Sequence, residues 1–124
     1  MTSPSFVDHL VYRVAALGRT ERFYTALLGE PSFSNEDAVA FTVGDTRLFF
    51  TPASGLGAHD KEAIGLNHLA LGVRTPEQLK AMETKLNGAG IKNSGIKLDP
   101  DGKKDYIWFD DPDGFRVEFY LREA

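Results

Sequence analysis

Asp8-His9-Leu10-Val11-Tyr12-Arg13-Val14 near the start of the chain and Asn67-His68-Leu69-Ala70-Leu71-Gly72-Val73 near its middle align without a gap, His9 matching His68. Both stretches alternate at period two, as a strand with one buried face does. Each is followed by a helix-like segment, a turn-rich stretch and two short strand-like runs. A repeat of this length divides the chain into modules of about residues 5–52 and 65–122 within a single domain of residues 1–124. Between them, Ala53-Ser54-Gly55-Leu56-Gly57-Ala58-His59-Asp60 is small and polar, and a linker is expected over 53–64.

Outward from the repeat, Leu17, Phe23, Tyr24, Leu27 and Leu28 recur at helical spacing, and Gly29 and Pro31 stop that helix. A second helix begins with Thr75 as N-cap, Pro76 in the first turn and Gln78 completing a capping box. Its apolar stripe is Leu79, Met82 and Leu86, and Gly88-Ala89-Gly90 ends it. Strands are expected over about 6–14, 38–43, 47–51, 67–73, 105–110 and 115–121, with weaker ones near 32–35 and 92–97. Asp111-Pro112-Asp113-Gly114 reads as a tight hairpin turn. A second Asp-Pro-Asp-Gly stands at 99–102 and reads as turn chemistry too, because the further oxygen ligands of a calcium loop are missing. The expected fold is α+β: two βαβββ modules forming a curved mixed sheet, helices on one face and the other face free to line a cleft.

Composition narrows the chemistry. With 124 residues, 42% hydrophobic and 26% charged, the chain has the balance of a folded globular domain. It has no cysteine, which removes disulfides, thiolate metal sites and cysteine nucleophiles. The net charge of −4 and the lack of a Lys/Arg run argue against nucleic acid and a polybasic membrane anchor. No apolar stretch approaches the roughly 20 residues of a membrane span. The start, Met1 to Phe6, lacks the shape of a signal peptide, so a cytoplasmic location is expected. Metal chemistry, where present, must use carboxylate and the three histidines, His9, His59 and His68.

Alternation assigns faces. His9, Val11 and Arg13 point away from the helix-covered side; so do His68, Ala70 and Gly72, and so do Arg116, Glu118 and Tyr120. His9, His68 and Glu118 thus share the free side, and two imidazoles with one carboxylate are a facial metal triad with open positions. A single strand histidine is ordinarily a hydrogen-bonded structural residue, and a single strand glutamate a solvated one. Two histidines at the same place in a repeat favour the ligand reading. His59, in the linker beside Asp60, is expected to be exposed. Arg13, Arg47, Phe49, Tyr106 and Trp108 are candidates to line a substrate pocket, and Tyr120 is the candidate general base.

These residues resemble the vicinal oxygen chelate superfamily, which includes glyoxalase I, fosfomycin-resistance enzymes, extradiol dioxygenases, methylmalonyl-CoA epimerase and bleomycin-resistance proteins. The resemblance covers almost the whole chain. It rests on Asp8-His9-Leu10-Val11, on Arg22-Phe23-Tyr24-Thr25-Ala26-Leu27-Leu28-Gly29, on Asn67-His68-Leu69-Ala70, and on Phe109-Asp110-Asp111-Pro112-Asp113-Gly114-Phe115-Arg116-Val117-Glu118-Phe119. It implies paired βαβββ modules around a cleft holding a divalent metal (Fe, Mn, Ni or Zn). By the resemblance the ligands are His9, His68 and Glu118, and the functional form is a homodimer.

Aligning Arg47-Leu48-Phe49-Phe50 with Arg116-Val117-Glu118-Phe119 puts Phe49 where glyoxalase I carries a carboxylate. A true glyoxalase I is therefore not expected. The three-ligand pattern is that of the dioxygenase and thiol-transferase branches, acting on a small substrate that coordinates the metal through oxygen. The alternative is a metal-free drug-binding protein of the bleomycin-resistance type.

Overall fold

The computed structural model describes residues 2–55 and 57–124. Met1, in the start read for a signal peptide, and Leu56, in the expected linker, lie outside the described residues. The chain divides into two compact units, Met1–Gly57 and Ala58–Ala124. In the first, β1 (His9–Val14) leads to α1 (Leu17–Leu28), β2 (Phe33–Ser34), β3 (Val39–Val43) and β4 (Thr46–Pro52). In the second, β5 (His68–Val73) leads to α2 (Pro76–Gly88), β6 (Lys97–Leu98), β7 (Asp105–Asp110) and β8 (Arg116–Leu121). Each unit is βαβββ and makes its own four-stranded sheet, ordered β1-β4-β3-β2 and β5-β8-β7-β6. The α+β class and the doubled module are those expected from the repeat.

The sheets are mixed because the helix carries the chain across the sheet after the first strand, which then pairs in parallel with the last. The other pairs are antiparallel. In the first unit His9 stands beside Arg47 and Val11 beside Phe49. In the second His68 stands beside Arg116 and Ala70 beside Glu118. The registers match, so Phe49 and Glu118 occupy equivalent positions.

Both helices end where the chemistry dictates. Thr75 accepts a hydrogen bond from the Gln78 N–H (3.1 Å) and Pro76 opens α2. The Gln78 side chain reaches back to the Arg74 N–H (2.9 Å) rather than to Thr75, shifting the expected box by one residue. Gly29 closes α1 with φ 85°, a left-handed value that glycine adopts readily. The α1 side of the first unit buries Tyr24, Leu27, Phe41, Leu48 and Phe50. The second buries Leu79, Leu86, Ile107, Phe109, Val117 and Phe119. Thr20, unremarked in the helical pattern, is also fully buried.

The first strand starts at His9 rather than at residue 6, and the weak strand expected near 92–97 is reduced to Lys97–Leu98 and a single bridge from Asn93 to Phe109. The second half of the expected linker is tied to its own unit. The His59 N–H donates to the Asp113 carbonyl (2.9 Å), and its ring meets Phe115 edge-on at 4.8 Å. His59 is exposed, as expected, but anchored.

The turn between β7 and β8 is held by Asp111, only 7% exposed. Its Oδ1 accepts from the Asp113 N–H (2.9 Å) and the Phe115 N–H (3.0 Å). Removing that acceptor strands two donors, one of them buried. Asp111→Ala is therefore expected to lower stability by about 1–3 kcal/mol. A urea midpoint that falls with an unchanged slope would show this; an unchanged midpoint would refute it.

Candidate functional site

Period-two alternation divides β8 into Val117, Phe119 and Leu121, buried under α2, and Arg116, Glu118 and Tyr120, half-buried on the open face. Parallel pairing brings His68, Ala70 and Gly72 of β5 to the same face. Here His68 Nε2 lies 3.6 Å from Glu118 Oε2.

The tautomer of His68 follows from its neighbours. Asn67 Nδ2 donates to the Lys61 carbonyl (2.8 Å), which turns the amide oxygen toward the ring. That oxygen stands 2.7 Å from His68 Nδ1 and can only accept, so Nδ1 carries the proton. In the neutral ring Nε2 is then the lone-pair nitrogen, and it faces a carboxylate. Two acceptors at this distance have room for a proton or a cation between them. Two ligands with bonds of roughly 2.1 Å stand about 3.0–3.4 Å apart on one ion, so a small closure of the 3.6 Å gap would seat one. An imidazole whose second nitrogen is hydrogen-bonded is also the usual form of a metal-ligating histidine. The donor set therefore suits a divalent cation.

Burial raises the Glu118 pKa, and the nearby Asp99 charge adds to this; His68 and Arg116 oppose it in part. Tyr120 donates its hydroxyl to Asp99 Oδ2 (2.7 Å). That bond lowers the Asp99 pKa and raises that of Tyr120. Tyr120 is therefore a proton holder and hydrogen-bond donor, and a poor proton acceptor. Gly102 makes this contact possible: a Cβ there would collide with the Tyr120 hydroxyl and stand 2.8 Å from Asp99 Oδ2. Neither Asp99 nor Gly102 was singled out in the sequence beyond its turn, and only the turn repeat at 99–102 marks them.

In the first unit His9 is held in the same way. Its Nδ1 lies 2.8 Å from Asp8 Oδ2, which also takes Arg47 Nη2 at 3.1 Å. The His9 bond, then the Arg47 bond, lowers the Asp8 pKa; the ionised carboxylate can only accept, so His9 Nδ1 carries the proton. The His9 ring meets Phe49 edge-on at 5.8 Å, and Arg47 lies over Phe49 at 5.6 Å. Phe49 and Arg47 line an apolar cavity of about 370 Å³ with Phe33 and Ala40. Among the described residues Arg13 reaches only the Pro52 carbonyl (3.4 Å).

Of the other pocket candidates, Tyr106 shares the 420 Å³ cavity of His68 and Glu118 and packs against Tyr120 at 5.9 Å. Trp108 instead lies beneath Arg116, whose guanidinium is 3.8 Å from the ring centre and 2.6 Å from Asp110. Within each unit, among the described residues, no three His, Asp or Glu side chains converge as a metal-binding group. No helix among them is long and apolar enough to cross a membrane.

The family model of the Glyoxalase/Bleomycin resistance protein/Dioxygenase superfamily matches residues 6–119. The chain belongs to this superfamily. A glyoxalase family protein from Enterococcus faecalis is 26% identical, with a TM-score of 0.75 over 93% of this chain and 96% of that one. A lactoylglutathione lyase from Agrobacterium tumefaciens, 19% identical, shares the fold with a TM-score of 0.76 over 96% and 95% of the two chains. The uncharacterized protein YaeR of Escherichia coli (strain K12) is 37% identical over 59 residues, 48% of this chain. That match spans 43% of YaeR, so the chain covers less than half of this relative.

The raised Glu118 pKa gives this superfamily member a signed pH dependence. The folded chain holds that proton more tightly than the unfolded chain, so the ionised carboxylate weakens folding above the raised value. In metal-free protein, Glu118→Gln is expected to raise the urea midpoint near neutral pH and to gain nothing well below pH 4.5. The same difference at both pH values would show that the effect is not one of ionisation.

Proposed function

We propose that this protein is a divalent-metal enzyme with His9, His68 and Glu118 as its ligands, acting on a small substrate that offers oxygen atoms to the ion. The observation that carries this reading is Nε2 of His68 facing Glu118, with Nδ1 committed to Asn67 and the Asn67 amide oriented by the Lys61 carbonyl. The equivalent lock on His9 by Asp8 supports the same role for the first unit.

When bound, a divalent ion supplies Lewis-acid polarisation of substrate oxygens, and as iron it adds redox chemistry. The protein's own groups set the rest. Tyr120, protonated and aimed by Asp99, offers a hydrogen-bond donor beside the site. Tyr106 supplies an aromatic wall, and Ala70 leaves room on the floor. Phe49, at the position equivalent to Glu118, can neither ligate nor move a proton. The reading therefore favours dioxygenase or thiol-transferase and lyase chemistry over a glyoxalase I isomerisation that needs a carboxylate there.

The test is metal content and affinity. Protein purified without added metal should carry a divalent ion. His68→Ala should lose it, and Asn67→Leu should bind manganese about 10–100-fold more weakly. Iron in the purified protein would favour the dioxygenase branch, and manganese, nickel or zinc the Lewis-acid branch. Equal metal content in wild type and His68→Ala would overturn the ligand set. Tight binding of an aromatic drug by metal-free protein without turnover would favour the alternative, a binding protein.

We also propose a homodimer. β1 and β5 are edge strands, and the exposed Phe6, Val7 and Val11 lie at or just before β1. Light scattering should give twice the chain mass; a monomer at high concentration would refute this.

A further inference from the structure

Two cavities on the open face of the second unit run together. One, of about 420 Å³, reaches His68 and Glu118. The other, of about 290 Å³, reaches Gly72 and Arg74. Both are lined by Ala70, Tyr120 and Arg122. A continuous groove thus leads from the His68–Glu118 pair to two arginines.

The arginine end is held by backbone, not by acid. Arg74 Nη1 donates to the Arg122 carbonyl (3.1 Å), and the Arg122 N–H donates to the Val73 carbonyl (2.9 Å). Among the described residues neither guanidinium has a carboxylate partner, whereas Arg47 pairs with Asp8 and Arg116 with Asp110. The acids of the groove lie toward its other end: Asp99 is engaged by Tyr120, Asp101 stands beside it in the turn, and Glu118 faces His68. In a chain of net charge −4, two arginines that line one cavity, neither of them ion-paired among the described residues, suit an oxyanion.

Gly72 agrees with this. It lies inside β5 without a left-handed φ, and a Cβ there would meet nothing within 4 Å. Neither the backbone nor the packing of the unit asks for glycine, which weakens a strand interior. The missing side chain keeps the groove open between its two ends.

We propose that this groove binds a carboxylate-tailed substrate, its tail on Arg74 and Arg122 and its oxygen-bearing head at His68 and Glu118. The placement of the head rests on the metal reading above; the placement of the tail does not.

The test separates the two. Metal-free protein of 124 residues is titrated with glutarate and followed by amide NMR. Saturable shifts are expected at residues 70–74 and 120–122. Arg122→Gln and Arg74→Gln should each weaken binding about tenfold, the loss of a charge-assisted hydrogen bond. Gly72→Val, which fills the floor, should abolish binding while the protein melts no earlier than wild type. Shifts elsewhere, or affinity unchanged in Arg122→Gln, would overturn the groove. Manganese is then added and 2-oxoglutarate compared with glutarate. Tighter binding of 2-oxoglutarate supports head and tail together. Equal binding of the two, with the arginine effects intact, keeps the tail site and counts against the metal reading.

Discussion

The parallel pairing of the first and last strands sets the position of every group in the second unit's site. β5 and β8 leave one side-chain set under α2 and the other on the open face, and their register decides which open-face residues are neighbours. It puts Ala70 and Gly72, the small residues, beside Glu118 and Tyr120, the functional ones. A slip of one residue would bury Glu118 and expose Phe119. That slip is opposed by Val117 and Phe119, both almost wholly buried, and by Asp111, which fixes the turn entering β8. Core packing and site geometry are consequences of one register.

The same pairing in the first unit yields a different surface. Equivalent positions hold Phe49 in place of Glu118. Arg47 pairs with Asp8, the residue that also orients His9, whereas Arg116 pairs with Asp110 and covers Trp108. The open face of the first unit is therefore an apolar cavity with a rim arginine, and that of the second a polar groove. The chain presents the same frame twice, and different residues on the exposed period of the strands give the two copies different chemistry. Such changes leave the core untouched because alternation keeps the two faces independent.

How far the sequence revealed this depends on the range of each interaction. Face assignment needs only neighbours two apart, so His9, His68, Glu118 and Tyr120 were legible on the open side. Helix ends are equally local: Thr75, Pro76 and Gly29 announce them. The long-range contacts were not legible. The Tyr120 hydroxyl meets Asp99 across 21 residues, and only folding shows that a side chain at Gly102 would displace Tyr120 from this contact. Thr20 was missed because a threonine on a helix gives no apolar signal, though its neighbours bury it completely. The roles of Asn67 and Asp8 escaped for a different reason. Each is adjacent in sequence to its histidine, but adjacency does not say that a side chain folds back to bond the ring.

Tyr120 shows why that distinction matters for chemistry. On face and position alone it is a reasonable proton acceptor beside a metal ligand. Its bond to Asp99 reverses the reading, since an ionised carboxylate in contact with the hydroxyl holds the phenol proton in place. The same carboxylate, through its charge, adds to the burial that raises the Glu118 pKa. Asp99 thus works on two groups at once: it keeps Tyr120 a donor and makes Glu118 a stronger base. A cation held by His68 and Glu118 would oppose that second effect and favour the ionised Glu118. The groove accordingly has a negative end that a metal would neutralise and a positive end at Arg74 and Arg122. A ligand with oxygens at its head and a carboxylate at its tail matches both ends in charge and in donor chemistry.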